Sequence, residues 1–292
     1  MNAILFLRAV ATVIPRGIPI GPSCQGGGQR VFFVRAALYS CLFTLDTSLA
    51  YSQGHDEMLI SAAAQPTFVQ GNSKTSKEPL LTVSVPYTDA QGSGDLNVVI
   101  VGQRWNDSTA EAGPPTDTQG NPYQLAAGPT VLEASISLTQ SVYYAKNISP
   151  AGAGTNVVTM KFSTAAAYPD IRILEYSGID RVVPVETTAT GMGNGTLPHS
   201  GAAVTKNATD LLLGAALALT PAATNPGNGF TKRMAAPSGS IAQDGIATVA
   251  GSYSASAFLG TPGPWIMHLI AFRAANTTPP TPVSALDAPR SP

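Results

Sequence analysis

The 292-residue chain has a formal net charge of −1 and only 11% charged residues, under half the roughly 25% usual in globular proteins. Its lysines and arginines are scattered, with no basic cluster beyond the Lys232-Arg233 pair; phosphate neutralisation needs grouped cations, so no nucleic-acid partner is expected. Hydrophobic residues still make up 44%, enough for a core, and 28 glycines and 24 prolines suit strands joined by tight turns better than helices.

Residues 1–50 read as a leader. Arg30 and Arg35 precede the apolar run Ala36–Leu45, and Ser48-Leu49-Ala50 supplies the small-x-small pattern of a cleavage site after Ala50. Positive segment, short apolar segment and small-residue site together predict a secretory signal. Pro15, Pro19, Pro22 and the Gly26-Gly27-Gly28 run do not belong to such a signal, which places the expected start near Val31. The apolar run is shorter than the roughly 20 residues of a bilayer span, and Asp46 is costly at membrane depth, so no stable membrane span is expected. A lipoprotein site at Leu38-Tyr39-Ser40-Cys41 is the weaker alternative, because the apolar run continues past Cys41. Both cysteines, Cys24 and Cys41, lie in this leader. The mature chain then has no disulfide and no thiol ligand or nucleophile. The expected location is secreted or at the cell surface, with 51–65 as a flexible lead-in.

From Pro66 onward, short apolar runs alternate with turn residues, the pattern of a sandwich or barrel. The predicted strands are Thr67–Gln70, Leu80–Pro86, Leu96–Trp105, Tyr123–Ala127, Ile136–Lys146 and Asn156–Ser163, followed by Ile171–Tyr176, Ala202–Thr205, Asp210–Leu219, Phe230–Met234, Ala247–Ala255 and Trp265–Arg273. Some alternate: Leu81, Val83 and Val85 share one face, as do Val158, Met160 and Phe162. Leu96–Val101, Leu211–Leu219 and Trp265–Phe272 are apolar on both faces and read as central strands covered on both sides. Leu211–Leu219 also fits a buried helix, but its brevity, Gly214 and Pro221 favour a strand.

The runs Gln91–Asp95, Asp117–Asn121, Gly152–Gly154, Gly191–Gly195 and Asn225–Gly229 carry turn chemistry. Ala165–Ala167 suggests a short helical turn. No convincing internal repeat emerges, although Asp95-Leu96 and Asp210-Leu211 each open an apolar strand. One domain over 66–274 is expected: an all-β, two-sheet antiparallel β-sandwich, jelly-roll-like. Residues 275–292, rich in Pro and Thr, read as a linker or disordered tail.

Several runs have a familiar look: Asp95–Gly102, Trp105-Asn106-Asp107, Thr116–Tyr123, Ser141–Asn147, Ile173–Asp180, Gly263–Met267 and Ala271-Phe272-Arg273. Over about residues 67–273 the chain resembles a bacterial extracellular β-sandwich module found in large secreted proteins, often beside immunoglobulin-like repeats. The resemblance implies the fold and an extracellular location, with carbohydrate binding or adhesion by analogy. It implies no catalytic residues.

The chain has no Gly-x-Ser-x-Gly elbow, no Ser-x-x-Lys and no His-Glu-x-x-His, so serine-hydrolase and zinc chemistry lack their usual residues. His55 lies in the lead-in, His199 in a loop, and His268 in an apolar strand as a hydrogen-bonded core or edge residue. Calcium needs only clustered oxygens, which Asp107, Asp117 and Asn121 offer; Asp117–Asn121 reads more simply as a hairpin turn. Asp170 and Asp180 flank one strand. Glu133, Glu175 and Glu186 are the candidates for a glycosidase pair. Glu175 follows Ile171 and Ile173 on one strand face, where a buried carboxylate needs a partner. Sandwich lectins stack sugars on aromatics and orient hydroxyls with polar side chains, which nominates Trp105, Asn106, Asp107, Tyr123 and Tyr143 as a ligand site.

Three functions are carried forward. The first is a non-catalytic binding or adhesion module whose partner is a polysaccharide or cell-surface glycan. The second is a structural spacer of an extracellular assembly. The third is a secreted polysaccharide hydrolase.

Overall fold

The computed structural model describes residues 64–105, 110–133, 136–220 and 224–275. The segments expected to be a signal, a lead-in and a tail fall, up to residue 63 and from residue 276 onward, outside them. Among the described residues every regular element is a strand, and no helix is long and apolar enough to cross a membrane.

The first half contains β1 (Thr67–Thr75), β2 (Leu80–Pro86), β3 (Leu96–Trp105), β4 (Thr116–Asp117), β5 (Gln124–Leu132), β6 (Ser137–Ala145), β7 (Val157–Ala166) and β8 (Asp170–Ser177). They form an inner sheet in the order β1-β8-β3-β6-β5 and an outer sheet in the order β2-β7-β4. The second half contains β9 (Val185–Gly195), β10 (Ala203–Thr205), β11 (Leu211–Ala218), β12 (Thr224–Pro226), β13 (Thr231–Ala235), β14 (Ile241–Ile246), β15 (Gly251–Tyr253), β16 (Ala257–Leu259) and β17 (Gly263–Phe272). Its inner sheet runs β9-β17-β11-β14-β13, with β10-β15 and β12-β16 outside it.

The two halves share one topology. First and last strands pair, the third follows, and a hairpin closes the sheet: β1·β8·β3·β6·β5 becomes β9·β17·β11·β14·β13. The counterpart of β7 is split into β15 and β16. Each half is therefore an antiparallel jelly-roll-like sandwich, and the all-β sandwich expected from the sequence occurs twice.

Register fixes the correspondence. Leu96 pairs with Tyr176 and Leu211 with Phe272, each leucine following an aspartate. Counting along the strands matches Tyr144 with Asp244 and Tyr176 with Phe272. The contacts across the seam obey the same exchange. Tyr144 stacks edge-on against Phe272 at 6.0 Å, and Tyr176 donates to Asp244 Oδ2 at 3.0 Å. The inner sheets thus face each other about a pseudo-twofold axis. Gly102 and Leu217 are counterparts and meet there: a Cβ on Gly102 would lie 2.6 Å from Leu217 Cδ1.

Three apolar layers result. The middle one joins the inner sheets through Leu96, Val98, Ile100 and Leu174 against Leu211, Leu213, Ile270 and Phe272. One outer layer holds Val83, Val85, Tyr87, Val158, Met160 and Phe162 under β2-β7-β4. The other is rich in alanine, with Ala216, Ala218, Ala247, Ala255 and Ala257 around Trp265. The inner strands β3, β11 and β17 read as apolar on both faces because both faces are covered.

Several expectations need correction. Leu81 does not share the face of Val83 and Val85; the register shifts between Leu80 and Thr82, so the bulge turns Leu81 outward and Leu80 inward. Gly191–Gly195 is not a turn but the end of β9, an edge strand on β17. Its glycines serve close approach, since a Cβ on Gly193 would sit 2.8 Å from the Trp265 ring. Ala165 and Ala166 continue β7 rather than turning helically. The strand assigned to Ala247–Ala255 is displaced: β14 ends at Ile246 and only Gly251–Tyr253 is extended there. No strand was expected over Ile241–Ile246; there the polar side chains of β14 find partners, Gln243 donating to Ser256 O at 2.7 Å and Asp244 pairing with Arg233. β5 passes through Gly128-Pro129, beyond its expected end at Ala127, because an edge strand with two register shifts tolerates proline.

Candidate functional site

Asp117 closes the turn after β4 as a hub. Its Oδ1 accepts the Gln119 and Asn121 backbone N–H groups at 3.1 and 2.9 Å. Its Oδ2 accepts Asn121 Nδ2 at 2.8 Å, the Tyr123 hydroxyl at 3.1 Å and Asn156 Nδ2 at 3.2 Å. Asn121 Oδ1 in turn accepts the Ser149 N–H at 2.9 Å. Asp117 and Asn121, expected as turn or calcium ligands, thus direct their oxygens at protein donors. Tyr123 is drawn into this hub, and burial beside Asp117 holds its hydroxyl pKa well above the usual value.

From this hub a polar network runs under the first outer sheet to Glu175. Asn156 donates to Gln91 Oε1 at 2.6 Å and Gln91 to Asn97 Oδ1 at 2.8 Å. Glu175 is wholly buried and accepts Gln70 Nε2 at 2.7 Å and the Gly92 N–H at 3.1 Å. The Asp95 carboxyl also meets it. Burial raises the pKa of both carboxyls. The partner that Glu175 requires is therefore a set of amide donors and a second carboxyl, while Arg172 lies on the other strand face.

A groove of about 500 Å³ opens on the outer side of the first inner sheet. Thr139, Ser141 and Tyr143 of β6 form its floor by strand alternation, and Pro129, Val131 and Glu133 form one wall. The other wall, Ala110–Ala112, is held to β7 by Glu111 N–H to Ser163 Oγ at 2.9 Å and Ser163 N–H to Glu111 O at 2.9 Å. Gln103 Nε2 donates to Ala110 O, and the Tyr143 hydroxyl reaches Ala112 O at 3.3 Å. Glu111 and Glu133 are exposed on opposite walls. Trp105, the last residue of β3, pairs in register with Ser137 at the start of β6. Asn106 and Asp107 lie outside the described residues.

The structure therefore divides the nominated residues. Asp117, Asn121 and Tyr123 converge in the hub; Tyr143 and Glu133 border the separate groove. Among the described residues no group of three or more His, Cys, Asp or Glu side chains is arranged to hold a metal ion.

Sequence reasoning missed a chain of polar groups between the inner sheets. Arg172 is fully buried and ion-pairs with Asp170 at 3.3 Å. It donates to Ala216 O at 3.0 Å and to Gln140 Oε1 at 3.4 Å. Gln140 Nε2 donates to Ala215 O at 3.0 Å and lies 3.4 Å from His268 Nδ1, while His268 Nε2 lies 2.9 Å from Thr130 Oγ1. This arrangement assigns the neutral Nε2–H tautomer to His268, which donates to Thr130, and burial pushes its pKa down to about 4. Arg172 and His268 occupy equivalent register positions in the two halves. The available signal was a cation inside an apolar run, Ile171-Arg172-Ile173-Leu174. Comparison of the chain with known protein families, curated proteins and solved structures finds no match.

Proposed function

We propose that the chain is a non-catalytic, secreted or cell-surface binding module whose ligand is a polysaccharide or cell-surface glycan, held in the groove over Thr139, Ser141 and Tyr143. The groove itself carries the reading: a polar strand face lies between two walls, beside the strand that ends in Trp105. Hydroxyl, carboxylate and aromatic groups together suit the mixed polar and C–H surface of a sugar. The signal pattern of residues 31–50 and the resemblance to bacterial extracellular sandwich modules support export. A glycan array tests the proposal. Binding to at least one surface polysaccharide is expected, weakened by Trp105→Ala and by Glu133→Ala, which alters an exposed side chain. Failure of the native chain to bind any of them would leave the structural-spacer reading in its place.

One observation favours a second reading. Glu111 and Glu133 border the same groove, the arrangement from which a hydrolase draws an acid and a base. Release of reducing ends from a bound polysaccharide, abolished by Glu133→Gln, would make the module an enzyme; binding without release would reject this.

A further inference from the structure

The groove over Thr139, Ser141 and Tyr143 carries charge of one sign. From Trp105 to Ala145 the chain holds no lysine or arginine, while Asp107, Glu111, Asp117 and Glu133 are acidic. Every residue that lines the groove lies within this stretch. Asp117 is engaged by its own donors in the hub, so among the described residues Glu111 and Glu133 are the charges at the groove itself.

Register explains their placement. Val131 pairs with Thr139, so Val131, and Glu133 two residues on, stand on the sheet face that carries the floor. Ala112 bridges Phe162, whose side chain fills the outer core layer. Glu111 therefore takes the outward face of its wall and borders the groove from there. Lys161 shares that outward face of β7 but makes no ion pair with it. Among the described residues neither carboxylate has a hydrogen bond or ion pair, and both side chains are exposed, so a ligand can reach them. Ionised carboxylates only accept hydrogen bonds, and the Tyr143 hydroxyl already donates to Ala112 O at 3.3 Å. Pro129 and Val131 add an apolar strip to one wall. Carboxylates on both sides of a concave surface attract cations and repel anions.

We propose that the groove selects a cationic glycan, a polymer of amino sugars with free ammonium groups, an inference that rests on the groove reading above. Each ammonium brings three donors and one charge to Glu111 or Glu133. The C–H faces of the rings lie on Pro129 and Val131. A neutral glycan leaves both charges uncompensated, and a uronate polymer is repelled by them. A lysine-rich peptide offers the same ammonium groups on flexible stems, at a larger cost of ordering, which favours the rigid ring.

Titration calorimetry of the full chain with a glucosamine oligomer tests the selection, with its N-acetylated form, a neutral glucan, an oligogalacturonate and oligolysine, all of equal length, as separate arms. The glucosamine oligomer is expected to bind about ten-fold more tightly than any other arm, the sum of two solvated charge contacts of about three-fold each. Glu111→Gln and Glu133→Gln should each weaken it about three-fold, and the double variant about ten-fold. Asp89→Asn, which removes an exposed carboxylate outside the groove, should leave the affinity intact. Thermal melting establishes that each variant is folded. If the native chain binds no oligosaccharide, the groove reading and the amino-sugar proposal fall together. If the acetylated, neutral or acidic oligomer binds as well as the glucosamine oligomer, the groove reading stands and the selection for ammonium groups is overturned. Equal binding of oligolysine, or native affinity in the folded double variant, overturns it likewise.

Discussion

The two repeats use one strand order and fill it with different chemistry. The first is polar inside: Asp117, Asn156, Gln91, Asn97, Gln70 and Glu175 are linked by hydrogen bonds beneath its outer sheet. The second has a layer around Trp265 dominated by alanines, with Gln243 as its buried amide, bonded to the Gly227 N–H and Ser256 O of the outer strands. The groove belongs to the first repeat. A topology therefore constrains which strands meet, but leaves free whether their interior is a dry core or a scaffold for polar loops. Matched positions show this most directly: Arg172 and His268 are counterparts, and so are Gly102 and Leu217.

The largest expected effect breaks the polar seam from the first-repeat side. Arg172→Leu strands Asp170 and removes donors from Gln140 and Ala216 O, and should cost about 3–5 kcal/mol in chemical denaturation. A loss below about 1 kcal/mol would show that the chain through Gln140 carries little of the cohesion between repeats.

His268 probes the second-repeat side through pH. Its folded pKa of about 4 lies below the usual value of 6.5, so the folded chain stays neutral where the unfolded chain gains a proton. Stability is therefore retained above about pH 6.5 and lost as pH falls toward 4, by about 3 kcal/mol in all. Urea midpoints across this range should decline in the native chain and decline less in His268→Gln. Parallel profiles would contradict the buried neutral tautomer.

Gly102→Ala tests the axis itself. The added methyl meets Leu217 and should cost about 1–3 kcal/mol through overpacking. Combining it with Leu217→Ala, which opens space at the same point, should recover part of that loss. Strict additivity in the double-mutant cycle would mean that the counterparts do not touch.

The smallest effect distinguishes the carboxyl pairs. Asp95 meets Glu175 in the first repeat and Asp210 meets Glu186 in the second, with both aspartates just ahead of a central strand. Asp210 Oδ2 and Glu186 Oε2 have no hydrogen-bond donor, and burial together with Glu186 pushes Asp210 up to about 7. The folded pair holds a proton that the unfolded chain releases, so its contribution is present at low pH and fades as pH rises through 7. Asp210→Asn supplies a permanent donor. It should raise the melting temperature above pH 7 by the equivalent of about 1 kcal/mol and change it little near pH 5. A gain independent of pH would argue against a shared proton.

Sequence alone determined the class of structure and its central strands. Leu96–Val101, Leu211–Leu219 and Trp265–Phe272 are apolar on both sides, a local property that any two-sided burial demands, and the Asp117–Asn121 turn follows from side-chain bonds within a few residues. Only the tertiary structure decided the duplication, because it resides in pairing order and register while matched positions hold unlike residues, such as Arg172 and His268 or Tyr144 and Asp244. Strands β9 and β14 stayed hidden for a related reason. Their glycines and polar groups are stabilised by neighbours distant in the chain, Trp265, Ser256 and Arg233. The groove was beyond local reading altogether, since it is space bounded by segments that no spacing along the chain brings together.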